Sequence, residues 1–449
     1  MDGQSGCGVP YPDQAGSPTS RTAPTAIIGL HVRPVPSAVN PGRDPVVTGL
    51  GALTPVGLDA PTTWKALVAG QSGIGPITRF DASGLATRIA GEVTGFDPVE
   101  TLGAKRAHRS ARFSQLAIAA AREAVADAGL DVAAAADRVG VAIGSAVAGT
   151  PETERNVRAL VGEGPRAVSP FYVASTILNM ASCEVAIDLG AHGPVTASAL
   201  ACATGTYSVL EARRLILSGE ADVVIAGGAD AGINEAVFAG LSNMGPLSER
   251  NDDPAGASRP FDSDRDGFVF GEGAVVMVIE SAEHAAARGA SSYGQVAGGA
   301  LTSDAFHMSA PEPSGDYAAG AIRLALERSG IAPEELGYIC AHGTATRAND
   351  TSESRAIRKV LGDATDSTPV SSPKSMVGHL IAAAGALASM VCLLGMRDGI
   401  LPPTINLTNP DPDCDLDHVA LTAREADTAA SIANAFGFGG QNCVVAFRR

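Results

Sequence analysis

Residues 194–230 read PVTASALACATGTYSVLEARRLILSGEADVVIAGGAD, and this stretch decides the fold. Small apolar residues lead into Cys202, and a partly helical repeat of apolar residues follows over residues 204–218. A second apolar run, DVVIAGGAD, then closes the unit. The pattern predicts a strand, a sharp turn that holds the cysteine, a helix and another strand, which is the repeating unit of an α/β protein.

The position of Cys202 predicts a reactive thiol. A helix N-terminus favours an anion through its dipole and its free N–H groups, so we expect a lowered pKa and a thiolate near neutral pH. The thiolate is the form of cysteine that attacks a carbonyl carbon. Taken alone, however, a buried cysteine is more often a small apolar residue of the core.

Three further motifs follow in the chain. AHGTAT places His342 after a short apolar strand, SSPKSMVGH places Lys374 and His379 before a helix of small residues, and NAFGFGGQN supplies a glycine-rich turn around Phe438. With Cys202, and in this order, these motifs resemble the β-ketoacyl-acyl-carrier-protein synthases in their bacterial type II (KAS II-like) form, which are thiolase-fold condensing enzymes. The resemblance runs from about residue 45 to the C-terminus.

Length and composition limit the fold and the partners. At 449 residues the chain can form one large α/β unit or two fused halves. A formal charge of −16 argues against nucleic acid or an anionic membrane as a partner. Seven cysteines without disulfide spacing, and no signal-peptide pattern, indicate a reduced cytoplasmic protein. The uncharged residues 380–396 are more typical of a buried helix than of a membrane span.

Two sets of β/α units of similar size follow a start that is rich in proline and glycine. The composition of residues 1–44 resists core packing, and we expect a disordered extension there. Residues 45–290 would form a half with the nucleophile, and residues 291–449 a half with the two histidines. The alternation predicts mostly parallel sheets covered by helices. The resemblance implies the five-layered αβαβα thiolase fold built from two duplicated halves.

The resemblance also implies a role for each motif. Cys202 would attack an acyl thioester and hold the acyl group, while backbone N–H groups of Cys202 and Phe438 bind the oxyanion. His342 and His379 would stabilise the enolate that remains when a malonyl thioester loses carbon dioxide. Lys374, as a buried cation, would keep both imidazoles neutral.

Further residues are implied around these groups. They are Glu353 and Asp350 behind the histidine loop; Phe438, Gly437 and Gly439 at the oxyanion site and gate; Thr344, Thr346 and Val147 along the substrate; and Lys105, Arg106, Arg109 and Arg112 as a basic patch for an acidic carrier protein. Taken alone, the two acids and the basic run are equally well explained as solvated helix charges. Arg347 and Gly245-Pro246 depart from the family pattern, which usually has a proline and an arginine-containing turn there.

The predicted function is decarboxylative condensation of an acyl thioester with malonyl-acyl-carrier protein, in fatty-acid or polyketide biosynthesis. Substrates would be carried on phosphopantetheine, without a cofactor or metal. The partners would be an acyl carrier protein and either a second copy or a chain-length-factor subunit.

Other interpretations stay open. The chain could be the ketosynthase subunit of a type II polyketide or polyene synthase, a non-catalytic chain-length-factor partner, or a thiolase. Zinc binding by Cys202, His342 and His379 lacks a closely spaced ligand pair. A dinucleotide site at the GLG of residues 49–51 lacks its third glycine.

Overall fold

A computed structural model describes residues 41–449, and the predicted extension at residues 1–44 lies outside this part except for its last four residues. In chain order the strands are β1 (Pro45–Leu53), β2 (Ile74–Pro76), β3 (Ile89–Gly91), β4 (Val139–Gly144), β5 (Val195–Thr196), β6 (Val223–Asp230), β7 (Gly273–Ser281), β8 (Gly294–Ser303), β9 (Tyr338–Cys340), β10 (Val370–Ser371), β11 (Ile400–Leu401), β12 (Arg424–Glu425), β13 (Ala430–Gly437) and β14 (Gln441–Arg448). The helices are α1 (Ala60–Val68), α2 (Pro98–Leu102), α3 (Ala104–Arg109), α4 (Arg112–Ala128), α5 (Thr150–Glu163), α6 (Tyr172–Thr176), α7 (Met180–Leu189), α8 (Thr204–Leu217), α9 (Glu235–Met244), α10 (Ala282–Ala287), α11 (Asp316–Ser329), α12 (Arg347–Leu361), α13 (Lys374–Val377) and α14 (Ala382–Asp398). Within these described residues, no helix has both the length and the apolar character needed to cross a bilayer.

Ten strands form one hydrogen-bonded sheet in the order β10-β9-β13-β14-β8-β1-β7-β6-β4-β5. The two ends of this order, β5-β4-β6-β7-β1 and β10-β9-β13-β14-β8, have the same topology. In each set the edge strand is the third strand along the chain, and the second, fourth, fifth and first strands follow it across the sheet. They meet where β1 pairs with β8 over two residues, Val46 with Gln295 and Val47 with Gly294. The described chain therefore contains the same five-strand arrangement twice.

The prediction of mostly parallel sheets was wrong. Five of the nine strand pairings in the large sheet are antiparallel, and parallel pairs occur only toward its two outer ends. The glycine-rich turn around Phe438 is the tip of a hairpin that joins β13 to β14. A link this short permits only antiparallel neighbours, because a parallel pair needs a long crossover.

Helices cover both outer faces of these strands and fill the space between the two arrangements. α4 and α7 pack on one side, α11 and α12 on the other, and α8 and α14 lie between β6 and β13. The predicted five-layered αβαβα fold is thus confirmed. α14 is buried over the whole run Ala382 to Met396, which explains why that segment is apolar all round.

Glycines let the two central helices cross closely. A Cβ at Gly205 of α8 would lie 2.3 Å from the backbone oxygen of Ala382, and one at Gly385 of α14 would lie 2.2 Å from the hydroxyl of Thr206. Interiors are packed too densely for a side chain to fit into such gaps. The crossing brings the N-terminal ends of both helices to the same region.

The glycines of the GLG at residues 49–51 have a packing role. A Cβ at Gly49 would lie 2.1 Å from the backbone oxygen of Ala124, and one at Gly51 would lie 2.0 Å from that of Ala120. Both acceptors belong to α4, which therefore sits directly on β1. Close helix packing accounts for the sequence that resembled a dinucleotide signal.

Candidate active site

A cavity of about 740 Å³ receives side chains from both five-strand arrangements. Cys202, His342 and His379 line it, and their sulfur and ring nitrogen atoms all lie within 4.8 Å of one another. The two imidazole rings stand edge to face with their centroids 5.4 Å apart. The structure therefore brings the three predicted reactive groups to one place.

The backbone before Cys202 forms a tight turn. The strand that precedes it is only Val195–Thr196, and a 3-10 turn over Ala201–Ala203 leads into α8. Ala201 has a φ of +47°, which is uncommon for a residue with a side chain. The hydroxyl of Thr204 locks the turn by donating to the Ala201 oxygen at 2.7 Å. Cys202 consequently opens onto the cavity at the start of the helix.

The pKa of Cys202 contradicts the expectation from sequence. Burial raises the pKa of this thiol to about 11, so the resting side chain is a thiol at neutral pH. The positive charge of Lys374 and the backbone N–H groups of Phe438 and Cys202 act in the opposite direction. The expectation was wrong because the sequence shows a helix N-terminus but does not show how deeply the sulfur is enclosed. The N–H groups that face the sulfur are the two predicted oxyanion donors.

His379 presents a hydrogen-bond donor to the cavity. Its Nδ1 accepts from the Ile381 N–H at 3.2 Å, so the proton of the neutral ring is on Nε2. In the described chain, Nε2 is buried and has no hydrogen-bond partner. An N–H that points into a cavity suits a developing oxyanion, whereas a metal ion would need a lone pair there.

Both histidines are neutral at pH 7. Burial, and then the charge of Lys374, lowers the pKa of His342 and of His379 well below the usual value. Lys374 is itself buried, and its Nζ donates to the His342 carbonyl oxygen at 2.5 Å. Burial also lowers the pKa of Lys374, while Cys340 and Glu353 oppose that shift. The cation that was predicted to keep the imidazoles neutral lies where it can do so.

Two buried carboxylates hold the loop that follows β9. Glu353 accepts from the N–H groups of His342 and Gly343, both at 2.8 Å. Asp350 accepts from the Thr344 N–H at 3.0 Å. Burial raises the pKa of both acids, and these N–H groups oppose the shift. The two acids do not line the cavity but fix the backbone that does.

The predicted substrate residues line the cavity. Thr344 and Thr346 lie there with their hydroxyl oxygens 3.0 Å apart. Val147 also lines it, within an apolar set that includes Ala146, Val147, Val237, Leu241, Phe270 and Ile381. The lining thus offers hydroxyls to a polar arm and an apolar wall to an acyl chain.

The tip of the β13–β14 hairpin closes against the cysteine turn. A Cβ at Gly437 would lie 2.7 Å from a carbonyl oxygen of that turn and 3.2 Å from the Cys202 nitrogen. Gly439 has a φ of +82°, and its N–H donates to the Met308 oxygen at 2.8 Å. Phe438 stands between these glycines, lines the cavity and is 39% exposed. At Gly437 only a residue without a Cβ allows this close approach, whereas at Gly439 the positive φ is what favours glycine.

The basic run predicted to dock a carrier protein does not line the cavity, and part of it is used within the chain. Arg112 pairs with the buried Glu272 at 2.8 Å, and Arg106 pairs with an aspartate of α7. Lys105 and Arg109 remain exposed. The run therefore offers fewer free charges than the sequence suggests.

Sequence reasoning missed Asp230 at the end of β6. Its buried carboxylate accepts from the Ser145 hydroxyl at 2.5 Å, from the Val147 N–H at 3.0 Å and from the Ala382 N–H at 2.8 Å. Asp230 therefore ties the Val147 loop to the first residue of α14. The sequence carried a signal, because an acid that ends a buried apolar strand needs partners.

Two family models match the chain. The β-ketoacyl synthase N-terminal domain matches residues 43–285, and the β-ketoacyl synthase C-terminal domain matches residues 293–408. The 3-oxoacyl-[acyl-carrier-protein] synthase 2 of Synechocystis sp. is 46% identical over 405 residues, which are 90% of this chain and 97% of the relative. The protein of the same name from Coxiella burnetii is 45% identical over 408 residues, covering 91% and 99%.

Solved structures with the same fold include polyketide enzymes. The ishigamide ketosynthase/chain length factor superposes with a TM-score of 0.85 at 38% identity, covering 90% of this chain and 99% of that one. A type II polyketide synthase acyl-carrier protein in complex with its ketosynthase (AntDE:AntF) gives a TM-score of 0.84 at 32% identity, with the same coverage.

Proposed function

This chain belongs to the β-ketoacyl synthase family, and from that premise we infer that it is a 3-oxoacyl-[acyl-carrier-protein] synthase, a condensing acyltransferase. Relatives of that name match 90% or more of its length. The observation that carries the inference is the meeting of Cys202, His342 and His379 within 4.8 Å in one cavity.

Cys202 takes the acyl group first in the proposed reaction. Its sulfur attacks the carbonyl carbon of an acyl thioester, an acyl-Cys202 thioester forms, and the carrier thiol leaves with the proton of Cys202. The N–H groups of Cys202 and Phe438, which already face the sulfur, would hold the oxyanion of the intermediate. With a thiol pKa of about 11, the thiolate develops as the attack proceeds and is not stored beforehand.

His342 and His379 act in the second step. The malonyl thioester loses carbon dioxide, and the electron pair of the broken bond forms an enolate whose oxygen accepts hydrogen bonds from the two rings. The enolate carbon then attacks the acyl carbon of acyl-Cys202, a carbon–carbon bond forms, and the Cys202 thiolate leaves and regains a proton. The lowered pKa values support this role, because a neutral ring still has one N–H to donate but is too weak an acid to protonate the enolate carbon before it attacks.

The remaining assignments are supporting ones. Lys374 holds the His342 loop and keeps the rings neutral, Glu353 and Asp350 position that loop, and Phe438 gates the acyl tunnel. The proposed steps use groups of this chain and thioesters on phosphopantetheine, so we assign no resident cofactor. We also propose a cytoplasmic location, and it is supported by free cysteines throughout the described chain.

Product masses test the proposed function. The protein is incubated with malonyl-carrier protein and a panel of acyl-carrier proteins, and each product is read by mass spectrometry. We expect a 3-oxoacyl product two carbons longer than the starter, with release of carbon dioxide. The proposal fails if no acyl chain of the panel is extended and no acyl group is found on Cys202. Activity with acetyl-CoA alone, without carbon dioxide, would indicate a thiolase.

A second candidate is the ketosynthase subunit of a type II polyketide synthase. The likeness to the ishigamide ketosynthase/chain length factor favours it. Repeated extension of one starter would indicate this function, whereas a single extension would indicate fatty-acid synthesis.

An exposed apolar face supports a second chain as partner. α5, α6, α7 and the edge strand β5 follow one another in contact. Their exposed apolar side chains are Val157, Leu160, Val161, Val173, Ile187 and Val195. A patch of this kind marks a protein interface. We propose that a second copy covers it, and light scattering should then give twice the chain mass of 45.1 kDa. A monomer that dimerises only with a chain-length factor would point to the second candidate.

A further inference from the structure

We propose that Arg347 binds the phosphodiester of the phosphopantetheine arm that delivers the carrier-bound substrate. The inference rests on the proposed function and adds one residue to it. The family pattern usually has a proline at this position, so the residue is a feature of this chain. The observations that carry it are the place, the charge and the missing partner of the Arg347 side chain.

Arg347 lies where the path from the reactive centre reaches solvent. His342 is buried, Thr344 is buried, Thr346 is half-buried and Arg347 is exposed, although all of them line the cavity. The chain from His342 to Arg347 spans at most about 17 Å, so this loop connects the reactive centre to the exposed end of the cavity over a short distance. A substrate arm that lies along the two threonine hydroxyls ends beside Arg347.

The other charged side chains of the cavity lining are acidic. Among lining residues in the part of the chain that the structure describes, Arg347 is the one side chain with a permanent positive charge. Asp266 and Asp304 are the acids of the same lining. A phosphodiester entering this mouth therefore meets a single group that attracts it.

The Arg347 guanidinium has no acid to satisfy it. Within residues 41–449, no carboxylate lies in ion-pair distance of it, although the Asp411 carboxylate is near enough to feel its positive charge. Asp411 pairs instead with the buried Arg265 at 2.6 Å. Arg265 also donates to the Thr346 and Arg347 carbonyl oxygens, both at 3.3 Å, and so holds the backbone of the mouth in place.

The position of Arg347 at the start of a helix favours binding of an external anion. Arg347 is the first residue of α12, which the Thr346 side chain caps by accepting from the Asn349 N–H. A cation at a helix N-terminus is electrostatically unfavourable, whereas an anion there is stabilised. The negative charge of a bound phosphate would offset the repulsion between the arginine and the helix dipole. Its oxygens would accept hydrogen bonds from the planar guanidinium.

Two small substrates test the proposal. Acyl and malonyl thioesters of phosphopantetheine and of pantetheine differ only in the phosphate, and neither carries a protein surface. We expect the wild type to show a kcat/KM about tenfold higher for the phosphorylated pair, which corresponds to one charge-assisted contact. In Arg347→Gln this ratio should fall to about one, and Arg347→Lys should keep part of it.

Controls separate the possible failures. Arg323→Gln removes an exposed arginine of α11 that is not in the cavity lining, and it should leave the ratio unchanged. Arg347→Pro suits the first position of a helix and serves if the glutamine variant misfolds. A wild-type ratio of one overturns the inference, as does an equal loss with both thioesters in Arg347→Gln. If the wild type extends neither substrate nor any acyl-carrier protein, the proposed function itself fails.

Discussion

The ends of β6 and β13 occupy the same place in their five-strand arrangements but carry different residues. At the end of β6 the Asp230 carboxylate reaches the other half and accepts the N–H of Ala382 at the start of α14, at 2.8 Å. At the end of β13, Gly437 has no side chain, and its backbone lies against Cys202 before α8. Each strand end therefore meets the central helix of the opposite half.

This difference leaves the two helix starts with different hydrogen-bond partners. A carboxylate satisfies an N-terminal N–H of α14 and complements the dipole of that helix. In the described chain no side chain plays the part of Asp230 at the turn before α8, and the N–H groups of Cys202 and Phe438 face the sulfur instead. The duplicated fold thus has a capped end at β6, which Asp230 satisfies, and an open end at β13 beside Cys202, which is the reactive end under the proposed function.

Removing the sulfur should abolish the function of the reactive end. In Cys202→Ala we expect condensation to fall by about a thousandfold or more, because the covalent intermediate is lost. Intact-mass spectrometry after incubation with acyl-carrier protein should show no acyl adduct. Condensation within tenfold of the wild type would assign the nucleophile to another residue.

Removing a ring should separate the two chemical steps. In His379→Ala we expect condensation to fall by about 100-fold to 1000-fold, because one donor to the enolate oxygen is lost. The acyl adduct on Cys202 should still be visible by mass. His108→Ala changes an exposed histidine of α3 and should have no effect. Loss of the adduct in His379→Ala would place this ring in the first step.

Adding a methyl group at the open strand end should displace the donor beside it. In Gly437→Ala the new Cβ would meet backbone at 2.7 Å, so the N–H of Phe438 must shift. We expect kcat to fall by about 100-fold, the usual effect of losing one oxyanion donor. Gly84→Ala has open space around its Cβ and is the matched control. Unchanged turnover in Gly437→Ala would show that this contact does not set the donor.

The pH dependence of alkylation should show how strongly burial acts at the reactive end. With a thiol pKa of about 11, the thiolate fraction of Cys202 increases about tenfold for each pH unit between 7 and 10. Iodoacetamide labelling, quantified on the Cys202 peptide, should follow that slope. A plateau near pH 8 would mean that the helix N-terminus dominates after all.

Changing the capped end should affect stability. In Asp230→Asn the amide NH2 group replaces an oxygen that accepts from backbone N–H groups, so donors face donors. We expect the free energy of unfolding to fall by about 2 to 3 kcal/mol. Urea unfolding measures the change. Asp97→Asn is the control, because Asp97 is an exposed N-cap of α2 and asparagine caps equally well. Equal midpoints for wild type and Asp230→Asn would remove the contrast between the two ends.

Local patterns predicted the elements and motifs well. The apolar repeat gave α8 at Thr204–Leu217 against the expected residues 204–218, and the uncharged run gave the buried α14. Small apolar residues before Cys202 and the helix of small residues after His379 marked the two turns that meet. These features depend on neighbours in sequence, and the sequence shows neighbours directly.

Contacts between distant segments were not predictable in the same way. The partner of Arg112 is Glu272, 160 residues away, so a run that looked free for docking is partly an internal ion pair. The raised pKa of Cys202 depends on enclosure by segments from both halves. Asp230 and Ala382 lie 152 residues apart, and no local pattern joins them.

The close crossing of α8 and α14 has a consequence for altering this protein. Cys202 precedes α8 and His379 precedes α14, so the distance between this sulfur and this ring depends on the crossing at Gly205 and Gly385, which are absent from the cavity lining. Changes to the apolar cavity lining leave this crossing in place, whereas a methyl group on either glycine would force the two helices apart. Turnover would be lost through distance alone, with every reactive group still present.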